Sequence, residues 1–464
     1  MSSSSVDGLV SGLSTSSMIS SLMQVEAAPQ TRLKSKVSTA QTAVSSYQAV
    51  NSRLVALKNA ATDLGALSTW RAVKPTSSST TVTATAVTGT NAASGTTVFD
   101  VKSLAKNQVT TAKVSADGAI TSAGSLQITV GPLDGSDKDK LTTVTLGDDK
   151  SAKGIAAAIN AAGLGVKATV VSTGGTSNIL QLSGAKTGAN AAFKIDGLDG
   201  LASPLTNVAS ATNARLDIGG GDANSAAGGY SVTSETNTFT ALMPGVSISV
   251  SKLEDGVTVT ADSDVDGMAN KIQAMVDAAN STLSEISNQT AYDANTKQSS
   301  PLTGDFSVRN ISQVLLSKVS LGLTYTNPSY DSTQPSDPAT KTNLEKISIS
   351  LAKIGVQLDR SGKLVFNKDD FTASYNANPT QTQAAGIEFA DQTRAMAFDQ
   401  SRNITSVITG RNNEIDSLNS QISNWDVRLA AKKLALQKTY SDLETSLGKL
   451  KNQSSWLSGQ LSSL

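Results

Sequence analysis

The C-terminal stretch Arg402–Leu464, RNITSVITGRNNEIDSLNSQISNWDVRLAAKKLALQKTYSDLETSLGKLKNQSSWLSGQLSSL, decides the fold of this chain. Its apolar residues recur at alternating steps of three and four, the spacing of a coiled-coil seam. The sequence has no proline after Pro379, so the stretch can form one helix of roughly 90 Å at a rise of ~1.5 Å per residue. The seam positions are Ile408, Ile415, Leu418, Ile422, Trp425, Leu429, Leu436, Tyr440, Leu443, Leu447, Leu450, Leu457, Leu461 and Leu464.

This seam is interrupted. Arg411, Lys432 and Ser454 stand where a self-sufficient coiled coil would carry aliphatic side chains. The step from Leu436 to Tyr440 is four where three is due, which is a stutter that locally unwinds a supercoil. We therefore expect the seam to be marginal by itself and to complete its burial against a further partner. An ordinary intramolecular helical hairpin is the alternative.

A second, shorter periodic region follows Pro29. Two such helices at opposite ends of a chain pair most simply with each other, which makes everything between them a long insertion. Asn51 occupies one core position and is a candidate for fixing the register of the pair. The apolar positions are Leu33, Val37, Ala40, Val44, Tyr47, Leu54, Ala61 and Leu64.

The insertion between the two helices is mostly β-rich. The alternating stretches TTVTATAV (80–87) and TVFDV (97–101) predict a β-hairpin with a long loop. A helix is predicted at 151–163, another begins near Asp264, and two strands flank the turn at 359–362. The predicted fold class is α+β, with long coiled-coil helices from both chain ends and nested β-rich head domains inserted between them.

The composition excludes several classes of function. The 38 basic residues equal the 38 acidic ones, so the chain has no electrostatic footprint for nucleic acid or an anionic membrane. The absence of cysteine and histidine removes Ser-His-Asp and Cys-His catalysis, thiol chemistry and every His or Cys metal site. No segment approaches the ~20 apolar residues of a membrane span. Met1–Ser5 lacks the features of a general secretory signal. We expect no cofactor and no enzymatic activity.

The stretch Asp262–Gly267 matches the first half of a calcium loop. Such a loop needs a carboxylate at its twelfth position, where this chain has Gln273, and a strand precedes the stretch instead of a helix. We therefore expect a strand-to-helix turn in which Asp262 or Ser263 caps the helix and Asp264 and Asp266 favour its N-terminus. A polysaccharide-acting enzyme with a carboxylate pair is a further alternative, but no spacing singles out such a pair.

Several motifs, taken in their order and spacing, resemble the bacterial flagellar filament cap family, hook-associated protein 2 (FliD). The chain opens with GLVSGL (8–13), Leu22-Met23 and Ala28-Pro29. It departs from the family at Ser14, where relatives usually have Asp. The later motifs are DVKSLA (100–105), the flagellin-type IN motif IAAAIN (155–160), MPGV (243–246), LTGD (302–305), LAKIGV (351–356), WDVRL (425–429) and Trp456-Leu457.

The resemblance implies a structural cap at the distal tip of the flagellum. Such a cap promotes the folding and polymerisation of exported flagellin and prevents its loss to the medium. The implied partners are flagellin, the hook–filament junction protein and the chain itself, as a ring-like homo-oligomer of about five or six subunits. The implied export route is the flagellar type III apparatus with an export chaperone, which places the protein outside the cell without a cleaved signal.

The resemblance also implies nested domains. These are a filament-inserting coiled-coil region at 1–45 and 403–464, a helical or mixed leg domain at 46–75 and 268–402, a β-rich head domain at 76–100 and 230–267, and a distal head domain with the IN motif at 101–229. The implied oligomer and filament contacts are Leu9, Leu13, Leu22, Leu33, Val37, Val44, Ile415, Leu418, Ile422, Trp425, Leu429, Leu443, Leu447, Leu450 and Leu457.

Two alternatives stay open on the sequence. One is another flagellar axial protein, either flagellin or a hook–filament junction protein. The other is a surface adhesin or glycan-binding tip protein, whose partner would be a host surface or glycan bound through exposed residues around 101–229.

Overall fold

The computed structural model describes residues 12, 14–87, 94–219, 228–340 and 342–461. The chain forms two compact units. Unit 1 comprises Met1–Ala66 and Ala269–Leu464, and unit 2 comprises Leu67–Met268. Unit 2 is thus an insertion between the two parts of unit 1, and the predicted α+β class is confirmed. The subdivision into four nested domains stays a prediction.

The helices lie mainly in unit 1. They are α1 (Thr15–Glu26), α2 (Ala28–Gly65), α3 (Leu67–Trp70), α4 (Ala152–Ala162), α5 (Val265–Thr290), α6 (Phe306–Ser320), α7 (Lys368–Ala377) and α8 (Pro379–Leu461), with short 3₁₀ turns at Ala189–Ala191 and Leu351–Ile354.

The strands lie mainly in unit 2. They are β1 (Val73–Ser77), β2 (Val82–Ala86), β3 (Gly95–Ser103), β4 (Val109–Ser115), β5 (Ser125–Val130), β6 (Lys140–Thr145), β7 (Val166–Ser172), β8 (Ser177–Gly184), β9 (Phe193–Asp196), β10 (Thr206–Ala209), β11 (Ala214–Ile218), β12 (Tyr230–Ser234), β13 (Thr238–Met243), β14 (Val246–Val250), β15 (Glu254–Ser263), β16 (Tyr292–Asp293), β17 (Gln298–Ser299), β18 (Leu323–Thr326), β19 (Lys346–Ile349), β20 (Val356–Leu358) and β21 (Leu364–Phe366).

Helix α8 has 83 residues and is about 125 Å long at ~1.5 Å per residue. It begins at Pro379, which suits the first helical position because its missing N–H would have no partner there. Asn378 Oδ1 accepts the N–H of Gln381 at 3.1 Å and caps the helix. The helix therefore starts well before the predicted seam, and the small residues Ala385 and Ala390 in its first turns are fully buried in unit 1.

The core of unit 1 is built around α2. Helices α5, α6 and α8 join α2 in one buried cluster. The hairpins β16–β17, β18–β19 and β20–β21 and helix α7 also belong to this unit. The predicted helix near Asp264 and the predicted strand pair around residues 359–362 are both confirmed, as α5 and as β20–β21. The central cluster consists of Tyr47, Val50, Leu54, Ile286, Leu302, Val308, Ile311 and Ile404.

Unit 2 contains two hydrophobic clusters. One lies among the five-stranded sheet β1-β15-β3-β11-β12 and the three-stranded sheet β13-β14-β2. The other lies among the four-stranded sheet β10-β4-β8-β7, the three-stranded sheet β6-β5-β9 and helix α4. The predicted helix at 151–163 is confirmed. Ser151 caps α4 by accepting the N–H of Gly154, and Gly163 follows it in the left-handed region at φ 64°.

The predicted hairpin of residues 80–87 and 97–101 is wrong. Both stretches are strands, but β2 pairs with β14, with Val82 opposite Val250. Strand β3 pairs with β15 on one side and β11 on the other. The partners of both strands lie more than a hundred residues later in the chain. Both sheets can therefore form only when the second half of unit 2 is present.

Candidate functional site on the terminal helices

Side-chain hydrogen bonds join α2 to α8 at separate levels of the pair. Gln30 Nε2 donates to Asp426 Oδ1 at 2.5 Å, and Ser401 Oγ donates to Asn51 Oδ1 at 2.7 Å. Residue numbers fall along α8 as they rise along α2, so the helices are antiparallel. Asn51 faces α8, as expected for a residue that fixes the register.

An apolar cluster fills the seam between these levels. Its buried members come from both helices, and Val37 and Ile415 are each only 9% exposed. Six of the predicted contact residues therefore meet inside the chain: the cluster contains Leu33, Val37, Ala40, Val44, Ile408, Ile415, Leu418 and Ile422.

Burial of the seam fades towards the end of α8. Trp425, Leu429 and Leu447 are half-buried, whereas Leu450 is 60% exposed and Leu457 is 56% exposed. The predicted contact residues Leu443, Leu450 and Leu457 thus lie at the surface of the described chain, together with Trp456 and Leu461. We call the exposed residues Leu443, Leu450, Trp456, Leu457 and Leu461 the distal face of α8.

Helix α1 packs beside α8 and buries Ile19. The neighbouring side of α1 carries Met18, Leu22 and Val25, which are spaced by four and three residues and are all exposed. Leu22 is a predicted contact residue, whereas Leu9 and Leu13 lie outside the described residues. The sequence analysis missed Met18 and Val25, although the 18-22-25 spacing is the signal of a helical stripe.

The charged interruptions of the seam have partners. Lys432 Nζ lies 3.5 Å from Glu26 Oε1 and links α8 to the end of α1, and both side chains are about half exposed. An ion pair so exposed contributes no more than about 1 kcal/mol. Arg411 pairs at 2.8 Å with Glu414, three residues along its own helix. This hydrogen bond raises the pKa of Arg411, against the opposing effect of burial.

Tyr47 and Asp305 form a polar contact in the core of unit 1. The Tyr47 hydroxyl donates to Asp305 Oδ2, while Asp305 Oδ1 accepts the N–H groups of Ser307 at 2.8 Å and Val308 at 3.2 Å and caps α6. Burial and then the Asp305 contact raise the pKa of Tyr47. Burial opposes ionisation of Asp305, but hydrogen bonds from Ser307 and Tyr47 outweigh it and lower the pKa of that carboxyl.

Trp425 is a half-buried member of the seam with a charged neighbour on its own helix. The Arg428 guanidinium lies 4.4 Å from the Trp425 ring centroid. Such a cation–π contact contributes about 0.5–1 kcal/mol at an exposed site. Trp425 therefore packs at the edge of the seam instead of deep within it.

The stretch Asp262–Gly267 is the expected strand-to-helix turn. Strand β15 ends at Ser263, and Asp264 Oδ1 accepts the N–H of Gly267 at 2.9 Å at the start of α5. The capping residue is therefore Asp264, and the prediction of Asp262 or Ser263 is wrong, because both of those residues are still paired with strand β1. Among the described residues no group of three or more carboxylates could hold a metal ion. Within the same part of the chain, no helix is both long enough and apolar enough to cross a membrane.

Two family models cover most of this architecture. The model of the flagellar hook-associated protein 2 C-terminus matches residues 211–452, which is more than half of the chain. The model of the flagellar hook-associated protein 2 N-terminus matches residues 11–108. The chain belongs to the flagellar hook-associated protein 2 family. Helix α2 lies within the matched ranges, and so does α8 up to residue 452.

Relatives in the hook-associated protein 2 family match along nearly their whole length. The flagellar hook-associated protein 2 of Escherichia coli strain K12 is 25% identical over 484 residues, covering 99% of this chain and 98% of that protein. The protein of E. coli O157:H7 matches to the same extent. These matches favour the hook-associated protein 2 family over flagellin, a junction protein or an adhesin.

A solved structure shares the fold. The crystal structure of the D1-D2-D3 domains of the flagellar cap protein FliD from E. coli superposes with a TM-score of 0.58 at 24% identity. The superposition covers 79% of this chain and 99% of the E. coli chain. The predicted fold class is thereby supported by an experimental relative.

Proposed function

We propose that this chain is the structural capping protein at the distal tip of a bacterial flagellum. In this role it promotes the folding and polymerisation of exported flagellin into the filament and prevents the loss of flagellin to the medium. The role is structural and not enzymatic. Its place of action is the extracellular tip of the flagellum, reached through the flagellar type III export apparatus with an export chaperone.

The observation that carries this proposal is the distal face of α8. Leu450, Leu457 and Leu461 continue a coiled-coil seam, yet each is more than half exposed. Complete burial of a fully exposed leucine side chain is worth about 1.5–3 kcal/mol, and each of these leucines would gain the part that it still exposes, so a helix that fits this seam would bind it favourably. We propose that filament subunits supply such a helix.

We further propose how the contact residues divide between two tasks. Leu33, Val37, Val44, Ile415, Leu418 and Ile422 hold the two terminal helices together, since they share one cluster. Leu22, Leu443, Leu450 and Leu457 contact neighbouring subunits, which include flagellin, the hook–filament junction protein and further copies of this chain in a ring. Leu9 and Leu13 are assigned to the same outer contacts by resemblance alone.

The nested segments then take distinct roles. Residues 1–45 and 403–464 insert into the open filament end, and residues 46–75 and 268–402 form a leg. Residues 76–100 with 230–267, and the distal segment 101–229, form the plate over the growing end. The marginal seam fits this arrangement, because a helix that becomes ordered only on binding forms a reversible contact.

The direct test is the fate of flagellin in a strain that lacks this gene. We expect unpolymerised flagellin in the medium and few filaments on the cells, and we expect added purified protein to restore the filaments. A variant with Leu450 and Leu457 both changed to Ser serves as the matched comparison and should restore none. Normal filaments in the deletion strain would overturn the proposal.

A further inference from the structure

Strand β7 is an edge strand of the sheet β10-β4-β8-β7. On one side it pairs with β8 in antiparallel register, with Ala168 opposite Leu182 and Val170 opposite Leu180. On its other side no strand of the described chain pairs with it. An open edge presents unpaired N–H and C=O groups and is a template for pairing with another chain.

Asn160 occupies part of this edge. Its Nδ2 donates to the carbonyl oxygen of Ala168 at 2.8 Å, and its Oδ1 accepts the N–H of Ala168 at 2.9 Å. One side-chain amide thus satisfies both outward backbone groups of one strand residue. A residue in a neighbouring antiparallel strand would form the same two bonds.

The local fold explains how Asn160 reaches the strand. Ile155 and Ile159 are fully buried and anchor α4 in the core. Gly163 and Gly165 both have positive φ, at 64° and 79°, and turn the chain so that β7 runs back alongside α4. The IAAAIN motif therefore combines anchoring isoleucines with an asparagine aimed at the strand edge.

The rest of the edge stays open. Backbone groups point to the same side of a strand at every second residue, so Val170 and Ser172 share the outward direction of Ala168. Val171 between them is 43% exposed. An antiparallel contact between two β7 strands centred on Val170 would place Val170 opposite itself and Ala168 opposite Ser172 of the second copy.

Such a self-pairing meets no charge conflict. Lys167 is the one charged residue in the sequence of β7, and in this register it lies opposite Thr173 of the other copy, far from the second lysine. A two-fold contact of this kind uses the same surface on both copies. Asn160 occupies the backbone groups of Ala168, so the two Ala168–Ser172 pairs cannot form. Only the Val170–Val170 pair remains, and a single residue pair is too short a contact to hold two chains together.

We propose that Asn160 is a guard residue that keeps the edge of β7 from pairing with β7 of a second copy. The IN motif then has a definite task, which is independent of the cap function: it closes a sheet edge in a head domain. The strand edge is a latent interaction surface, and its partner is an identical chain.

The test uses Asn160→Ala in the full chain, compared with the wild type at the same concentration. Alanine suits a helix at least as well as asparagine, so α4 should persist. We expect the Ala168 amide to exchange about tenfold faster in dilute protein, as for the loss of one hydrogen bond. At higher concentration we expect self-association beyond that of the wild type in sedimentation velocity.

A second substitution separates edge pairing from unfolding. Val170→Pro removes an outward N–H that β8 does not use, so an edge strand tolerates it, and it blocks the central pair. Asn160→Ala with Val170→Pro should sediment like the wild type. Because the chain lacks cysteine, spin labels on Val171→Cys report the contact, and a short distance between labels should appear only with Asn160→Ala. Association that survives Val170→Pro, or an Asn160→Ala chain that neither associates nor exchanges faster, would overturn the proposal.

Discussion

Ser401 donates a 2.7 Å hydrogen bond to Asn51 Oδ1 and so joins two residues 350 positions apart in the chain. This contact lies within the α2–α8 pair, between the level of Gln30 and Asp426 and the level of Gly65 and Ala390. A polar pair among apolar side chains favours one register, since any shift of the helices would leave a polar group without its partner.

The Asn51–Ser401 pair should behave as one unit. We expect Asn51→Ala and Ser401→Ala each to lower the free energy of unfolding of unit 1 by about 1 kcal/mol, the usual net value of a hydrogen bond. The double variant should lose less free energy of unfolding than the sum of the two single losses, because both changes remove the same interaction. Hydrogen exchange of amides in α2 and α8 measures the three values. Strict additivity would show that the two side chains stabilise the pair separately.

The Tyr47–Asp305 contact should give unit 1 an acid-sensitive contribution to stability. The pKa of folded Asp305 lies below its ordinary 3.8, so this stabilisation is complete above the ordinary pKa and is lost as pH falls through the folded value. The free energy of unfolding of Asp305→Asn should therefore differ most from that of the wild type near pH 7, and this difference should narrow below about pH 4. Urea unfolding at a series of pH values measures the gap, and a gap independent of pH would contradict the assignment.

Tyr47→Phe is the companion variant. It removes the hydroxyl donor and keeps the ring in the core, so we expect a loss of about 1 kcal/mol at neutral pH. Because the pKa of Tyr47 is raised, the hydroxyl's contribution is present below its ordinary pKa of 10.0 and is lost as pH rises through the folded value. If the wild type is no more stable than Tyr47→Phe at neutral pH, the Tyr47 hydroxyl does not stabilise unit 1.

Substitutions of two leucines in the terminal helices should have different effects, one on the stability of the free chain and the other on filament assembly. Leu54 is fully buried in the core of unit 1, and Leu54→Ala should cost about 2–5 kcal/mol of stability. Leu457 is 56% exposed, so Leu457→Ala should leave the stability of the free chain within about 0.5 kcal/mol while it weakens filament assembly. Denaturant unfolding and a flagellin polymerisation assay measure the two effects. Equal destabilisation by both variants would mean that the distal face is buried in the free chain.

Lys432 offers a way to strengthen the seam. Lys432→Leu removes an exposed ion pair with Glu26 worth no more than about 1 kcal/mol and places an aliphatic group at a seam position. We expect slower hydrogen exchange in α1 and in the second half of α8, together with weaker cap function, because a tighter internal pair is less available to partners. Lys438→Leu, off the seam on the same helix, is the control and should change neither.

Periodicity in the sequence predicted the elements that bury a regular stripe. The seam of α8, the shorter helix α2 and the IN helix α4 all follow from local spacing, and Asn51 was placed correctly in the seam. The start of α8 at Pro379 was missed, because Ala385, Gly386 and Ala390 carry no heptad signal and pack as small residues inside unit 1.

Pairings over long distances could not be predicted in the same way. Residues 82–86 and 95–103 alternate as strands should, but alternation does not name a partner, and their true partners follow after residue 210. Tyr47–Asp305 and Gln30–Asp426 were missed for the same reason. The sequence predicted that the seam needs a further partner, but it did not predict that Leu450 and Leu457 in particular would be exposed.

Hydrogen exchange of residues 443–461 measures how firmly the end of α8 is held. We claim that the end of α8 is weakly held in the free chain and becomes buried against filament subunits. We expect weak protection of these amides in the isolated protein and strong protection when the protein is bound to filament ends, with residues 404–418 protected in both states. Strong protection of 443–461 in the isolated protein, or no gain on filament ends, would contradict it.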